Sequence, residues 1–188
     1  KSQSFSVSAD MYHRFGAFQT NLLIEGFYTR LTDVFVLGKP YDRGDGILVK
    51  TRSNGPGAKV MGLTLEGKVA YLSILQIQAG LTLQRSRYDE PHKWHDDAPA
   101  EKKIFRTPDT YGYFTATCTP IKPLSIALSG TYTGRMLVQR MDITAENAEL
   151  GKMPERKAEA IRTPRFFDLG VKLAYDFKLY KTVDLQLN

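Results

Sequence analysis

Apolar and polar residues alternate with a period of two along most of the chain, the pattern of strands with one apolar and one polar face. Phe5, Val7, Ala9 and Met11 alternate with Ser4, Ser6, Ser8 and Asp10. Met61, Leu63, Leu65, Val69 and Tyr71 oppose Thr64, Glu66 and Lys68. Leu75, Ile77, Ala79, Leu81 and Leu83 oppose Gln76, Gln78, Thr82, Gln84 and Ser86. Leu124, Ile126, Leu128 and Tyr132 oppose Ser125, Ser129, Thr131 and Thr133, and Phe167, Leu169, Val171, Leu173, Tyr175 and Phe177 oppose Asp168, Lys172, Asp176 and Lys178. Val183, Leu185 and Leu187 begin another such face. Two segments are less regular: residues 18–37 are β-rich with neither parity clean, and Phe114, Ala116 and Cys118 alternate with Thr115, Thr117 and Thr119. The pattern predicts eight strands, several of 12 or more residues, against a usual length of about 5–6. Helical periodicity is confined to residues 145–160, rich in Glu, Lys and Ala, which read as a loop with a short helix.

The connections alternate in length. Short turns fall near Gly16-Ala17, Leu72-Ser73, residues 120–123 and residues 179–181; long polar connections fall at 38–57, 89–108 and 139–164. In an up-and-down meander successive connections lie at opposite ends, so all the short turns share one end and all the long loops the other. Membrane barrels have this asymmetry, with tight periplasmic turns and long extracellular loops. Alternation alone does not tell a lipid-facing from a core-facing apolar side. Strand length, loop asymmetry and aromatics near strand ends (Phe15, Phe18, Tyr71, Tyr132, Tyr175, Phe177, Tyr180) favour the membrane. The expected fold is all-β: one unit over residues 1–188, an antiparallel up-and-down transmembrane β-barrel segment of about eight strands.

Composition agrees with a folded chain. Of 188 residues, 42% are hydrophobic and 24% charged, outside the range of disordered sequences. No stretch reaches the roughly 18 apolar residues of a helical span. The net charge of +6 suits nucleic acid or anionic lipid. Nucleic-acid binding calls for aromatics clustered on one exposed sheet face, and here they gather near strand ends, so lipid is the expected partner. The single cysteine, Cys118, excludes an internal disulfide and reads as a small filler. The chain starts at Lys1 and stops inside an alternating run, so both ends are expected to be cut.

Candidate chemistry is sparse. His92, His95, Asp96 and Asp97 surround Trp94 in a spacing that matches no standard metal site. Asp42-Arg43-Gly44-Asp45-Gly46 lacks the ligand alternation of a calcium loop and reads as turn chemistry. No phosphate loop, serine elbow or Cys/His pair is present. The only histidine expected on a strand, His13, falls at the short-turn end, so an enzyme is not expected, and neither is a cofactor. Lumenal parity near the long-loop end marks Tyr88, Arg135 and Asp168 as candidate ligand-binding residues. Lys59, Arg85, Arg87 and Arg165 carry the lipid-facing parity beyond the apolar band, where arginine can meet lipopolysaccharide phosphates.

Three segments resemble the C-terminal half of TonB-dependent outer-membrane receptors. They are Glu25-Gly26-Phe27-Tyr28-Thr29-Arg30-Leu31-Thr32-Asp33, Thr107-Pro108-Asp109-Thr110-Tyr111-Gly112-Tyr113 and Thr119-Pro120-Ile121-Lys122-Pro123-Leu124-Ser125. Between them, Val60-Met61-Gly62-Leu63-Thr64-Leu65-Glu66-Gly67 is similar to the strand after that family's mid-barrel loop. The resemblance implies a bacterial outer-membrane barrel of about 22 strands around a plug, of which eight are present here. It implies energised import of a scarce nutrient, such as a ferric siderophore or cobalamin. The nutrient would be met at the extracellular loops, and TonB through an N-terminal region missing here. The alternative is an autonomous small outer-membrane barrel acting as an anchor or adhesin.

Overall fold

The computed structural model describes residues 1–95, 98–143, 156–180 and 183–187. The strands among them are β1 (Ser2–Phe15), β2 (Phe18–Leu31), β3 (Phe35–Asp42), β4 (Leu48–Asn54), β5 (Ala58–Tyr71), β6 (Leu75–His92), β7 (Glu101–Lys103), β8 (Thr110–Ile121), β9 (Leu124–Thr133), β10 (Leu137–Ile143), β11 (Arg156–Arg162), β12 (Phe166–Tyr180) and β13 (Val183–Leu187). The described residues contain no helix.

The eight stretches of clear or partial alternation form one antiparallel meander in the order β1-β2-β5-β6-β8-β9-β12-β13, with β7 added to β6. Local chemistry sets the tight ends. Gly16 takes a left-handed φ of 61° in the two-residue turn between β1 and β2, where glycine pays no steric penalty. Lys122 and Pro123 separate the paired residues Ile121 and Leu124. At the other end Leu31 pairs with both Ser2 and Ala58, and Ala58 with Tyr88. All three long connections therefore leave the sheet on one side, as their lengths predict.

Three expectations need correction. The long connections are structured: β3–β4 and β10–β11 are separate two-stranded hairpins, and β7 extends the sheet beside β6. The stretch 18–37 is two strands, because Asp33 adopts a left-handed φ of 57° after β2 ends at Leu31. The segment 145–160 is not helical at its described end, where residues 156–160 belong to β11, a strand that pairs with β10 over seven register positions. Cross-strand pairing there overrides a composition that favours helix; residues 144–155 lie outside the described residues.

Three glycines sit opposite aromatic residues on neighbouring strands: Gly62 faces Phe27, Gly80 faces Tyr113 and Gly130 faces Phe114. Each ring lies over its glycine, close enough to collide with a Cβ placed there. Such cover restores packing that a bare glycine strand lacks and pins the register.

Among the described residues, no second layer packs on the sheet. Buried apolar residues are few and small, such as Ala58, Ala98, Ala158 and Ala174, beside Leu137. Large apolar side chains stay uncovered: Val7 is 81% exposed, Val171 72% and Leu169 61%. Among the described residues, β1 and β13 each pair on one side only, so the sheet is open. No described helix is long and apolar enough to cross a membrane, which bears on helical spans alone.

Candidate functional site

The register sorts the sheet into two faces, since residues directly opposite one another share a side. One row runs Met11, Leu22, Gly67, Ala79, Phe114, Gly130, Leu169 across seven strands. The rows parallel to it on the same parity carry Phe5, Leu63, Leu81, Leu128, Val171 and Leu173. This face is apolar from edge to edge.

The other face is a polar wall with its own hydrogen bonds. Ser4 Oγ and Thr29 Oγ1 are 3.0 Å apart, and Thr64 Oγ1 and Thr82 Oγ1 3.1 Å. Gln78 Nε2 donates to Tyr113 Oη at 2.9 Å, and Gln84 Nε2 to the Pro108 carbonyl at 2.9 Å. Asp10 accepts from Tyr12 Oη at 2.9 Å and also from Asn21. Asp10, Glu25, Glu66, Lys68, Asp168, Lys172 and Asp176 share this parity, which makes the face suited to water rather than hydrocarbon.

At the short-turn end an aromatic cluster sits on the apolar parity. Phe15 and Phe18 stack with centroids 5.6 Å apart, Phe18 and Tyr71 lie 4.7 Å apart, and His13 is 5.7 Å from Phe15. Rings at this level match an interfacial girdle.

The predicted ligand residues do not converge. Tyr88 stands at the long-connection end of β6, its ring 5.5 Å from His92. Asp168 pairs with Thr131, and its row passes Tyr113 to reach β6 at Gly80. Tyr88 lies eight residues farther along that strand, roughly 27 Å away at about 3.4 Å per residue. Arg135 is exposed in the link between β9 and β10. Tyr88 and Asp168 share the polar face, but parity carries no information about position along the strand.

The predicted basic residues divide. Lys59 and Arg87 are direct cross-strand partners, and Arg85 lies opposite Met61. Arg165 precedes β12, two residues before Phe167, whose row reaches Leu81 on β6 through Tyr132 and Gly112. Continuing that register two residues before Phe167, beyond the paired part of β12, puts Arg165 on the row of Leu83, apart from Lys59 and Arg87. Sequence reading missed two members of the basic group. Arg30 pairs with Lys59, and Lys103 pairs with Arg87. Arg30 lies in the stretch of unclear parity, and Lys103 lies on a strand too short to alternate.

The loop candidates resolve as turn chemistry and aromatic packing. Asp42 Oδ1 accepts the Gly44 amide at 2.8 Å and the Gly46 amide at 3.2 Å, closing the β3–β4 turn. Asp45 accepts from Arg43 Nε at 3.1 Å, and this bond, ahead of the Ile47 amide, holds its carboxyl below the usual carboxylate range. Trp94 packs edge-on to Phe105 with centroids 6.4 Å apart and lies 5.8 Å from His95. His92 closes β6, so His13 is not the only strand histidine. Asp96 and Asp97 lie outside the described residues.

No family model matches the chain, and no curated protein does. Among solved structures it is similar to one titled "Copper transporter OprC", at 12% identity and a TM-score of 0.54, over 98% of this chain. The likeness at that identity is one of fold. The shared fold is an all-β antiparallel meander. This chain spans 24% of the length of that neighbour.

Proposed function

We propose that this chain forms part of the wall of an outer-membrane uptake receptor and serves as a wall, not as an enzyme. The observation that carries this reading is the continuous apolar face, exposed from Val7 at 81% to Val171 at 72%, backed by a hydrogen-bonded polar face. Water would make such a face a liability, since soluble monomers rarely expose apolar patches beyond a few hundred Å². In a bilayer the same face is solvated by lipid, while β2, β5, β6, β8 and β9 each pair with a neighbour on both sides. Strands of 14, 14, 14 and 18 residues in β1, β2, β5 and β6 exceed the span needed, about 9–11 residues when tilted. The polar wall then lines the lumen, and the hairpins β3–β4 and β10–β11 rise on the side from which cargo arrives.

The cargo in this reading is a scarce nutrient, such as a ferric siderophore, cobalamin or a metal ion, imported with energy supplied through TonB. The fit of the TonB-dependent motifs and the transporter title of the structural neighbour both favour uptake over an anchor or adhesin. The test uses the full-length protein in its native cell. It should fractionate with the outer membrane and change its gel mobility on heating. Its deletion should abolish energised uptake of one nutrient class. Recovery in the soluble fraction, or unchanged uptake of ferric siderophores, cobalamin and copper alike, would overturn the proposal.

A further inference from the structure

Four cations on four adjacent strands stand in one register row on the apolar parity: Arg30 opposite Lys59, Lys59 opposite Arg87, and Arg87 opposite Lys103. Arg85 lies two residues below Arg87, toward Leu83 and Leu81. With strands about 4.8 Å apart, the row is roughly 14 Å long. Like charges directly opposite each other destabilise a sheet, so a run of four calls for anions beside it.

The chain supplies part of that charge. Asp89 Oδ1 lies 2.9 Å from Lys59 Nζ, and Asp109 pairs with Lys103. Arg85 and Arg87 are exposed, and neither has a carboxylate partner among the described residues. Directly below them the same face carries the exposed side chains of Leu63, Leu65, Leu81 and Leu83.

We infer that this row binds the phosphates of an outer-leaflet lipid; the inference rests on the membrane reading above. The guanidinium groups of Arg85 and Arg87 hold phosphate oxygens bidentately, Arg30 and Lys59 extend the contact, and the leucine band beneath meets the acyl chains. A free phosphate would use the cations and ignore the band, whereas a lipid uses both. Arginine is also tolerated at this height, costing far less near the interface than at mid-bilayer. Arg165, on the row of Leu83 and separated from β6 by β8 and β9, is outside the site.

The test measures binding of bisphosphorylated lipid A to the full-length protein in detergent, by mass spectrometry of the intact complex. The parent should bind it at least tenfold more tightly than dephosphorylated lipid A, and millimolar inorganic phosphate should not displace it. The Arg85→Gln/Arg87→Gln variant should lose at least tenfold in affinity, and Arg30→Gln/Lys59→Gln severalfold, while Arg165→Gln matches the parent. Heat-dependent gel mobility reports barrel integrity for every variant. An intact barrel whose arginine variants bind unchanged overturns the lipid site and leaves the wall reading standing. Equal binding of the dephosphorylated lipid, displacement by inorganic phosphate, or a loss in Arg165→Gln equal to that of the arginine pair overturns the site as well. A protein that forms no heat-sensitive barrel overturns the wall reading itself.

Discussion

Phe114 lies across Gly130: the two face each other on β8 and β9, and a Cβ on Gly130 would collide with the Phe114 ring and stand 2.7 Å from Phe167 Cζ. Phe114 and Phe167 are themselves nearly parallel, 12° apart with centroids 6.0 Å apart. They border a shallow apolar depression of about 220 Å³ lined also by Leu81, Gly112 and Tyr132. Glycine is the residue that lets both rings lie flat against the sheet. Gly130→Val should destabilise the folded barrel by about 1–3 kcal/mol through overpacking. Gly67→Val is the matched control, because Gly67 has open space where its Cβ would go, and it should be neutral or slightly stabilising. Denaturant unfolding of both variants in lipid checks the difference.

The two faces of β12 should respond oppositely to charge. Val171 is 72% exposed on the apolar parity, and Lys172 follows it on the polar one. Val171→Arg should cost about 2–4 kcal/mol if it meets mid-bilayer hydrocarbon. Lys172→Gln should change stability by less than about 0.5 kcal/mol, as surface substitutions do. Equal costs at the two positions would mean that neither face meets lipid.

The β3–β4 turn should loosen when its aspartates lose charge or are removed. Asp42→Ala removes the acceptor of the Gly44 and Gly46 amides and should cost the hairpin about 1 kcal/mol. Asp45 has a carboxyl held below 3.8 by Arg43, so its contribution is present above that value and lost as the pH falls through its lower folded value. Protease nicking between residues 42 and 47 should rise in Asp42→Ala at neutral pH. Amide exchange at Ile47, compared with an Asp45→Asn variant at each pH, should be slower in the parent above pH 4 and converge with the variant in stronger acid.

The long strands were legible because one-sided alternation leaves a single register that keeps the apolar residues on one side. β2 was the exception. Phe27, on the polar parity, covers Gly62, and Leu23 shares that parity, so both faces of β2 carry apolar residues. The hairpins within the long connections were illegible, since Lys, Glu, Ala and Pro residues form strands there through pairing rather than through pattern. Among the basic residues, Lys59, Arg85 and Arg87 could be read from parity because their strands alternate cleanly. Arg30 and Lys103 could not, and Arg165 shared the parity without sharing the row. Tyr88 and Asp168 show the same limit: alternation reveals a face, whereas height depends on the register of each intervening strand.

The central claim is that the apolar face meets lipid and the polar face meets water. In a cysteine-free background of the full-length protein, with Cys118→Ala among its changes, single cysteines from Phe167 to Tyr175 on β12 can carry a fluorophore exposed in turn to a lipid-phase and an aqueous quencher. At positions 167, 169, 171, 173 and 175 the lipid-phase quencher should dominate, and at 168, 170, 172 and 174 the aqueous one. A period-two exchange of the two signals along the strand is the predicted result. Uniform aqueous quenching at both parities, or lipid quenching confined to the even positions, would contradict it.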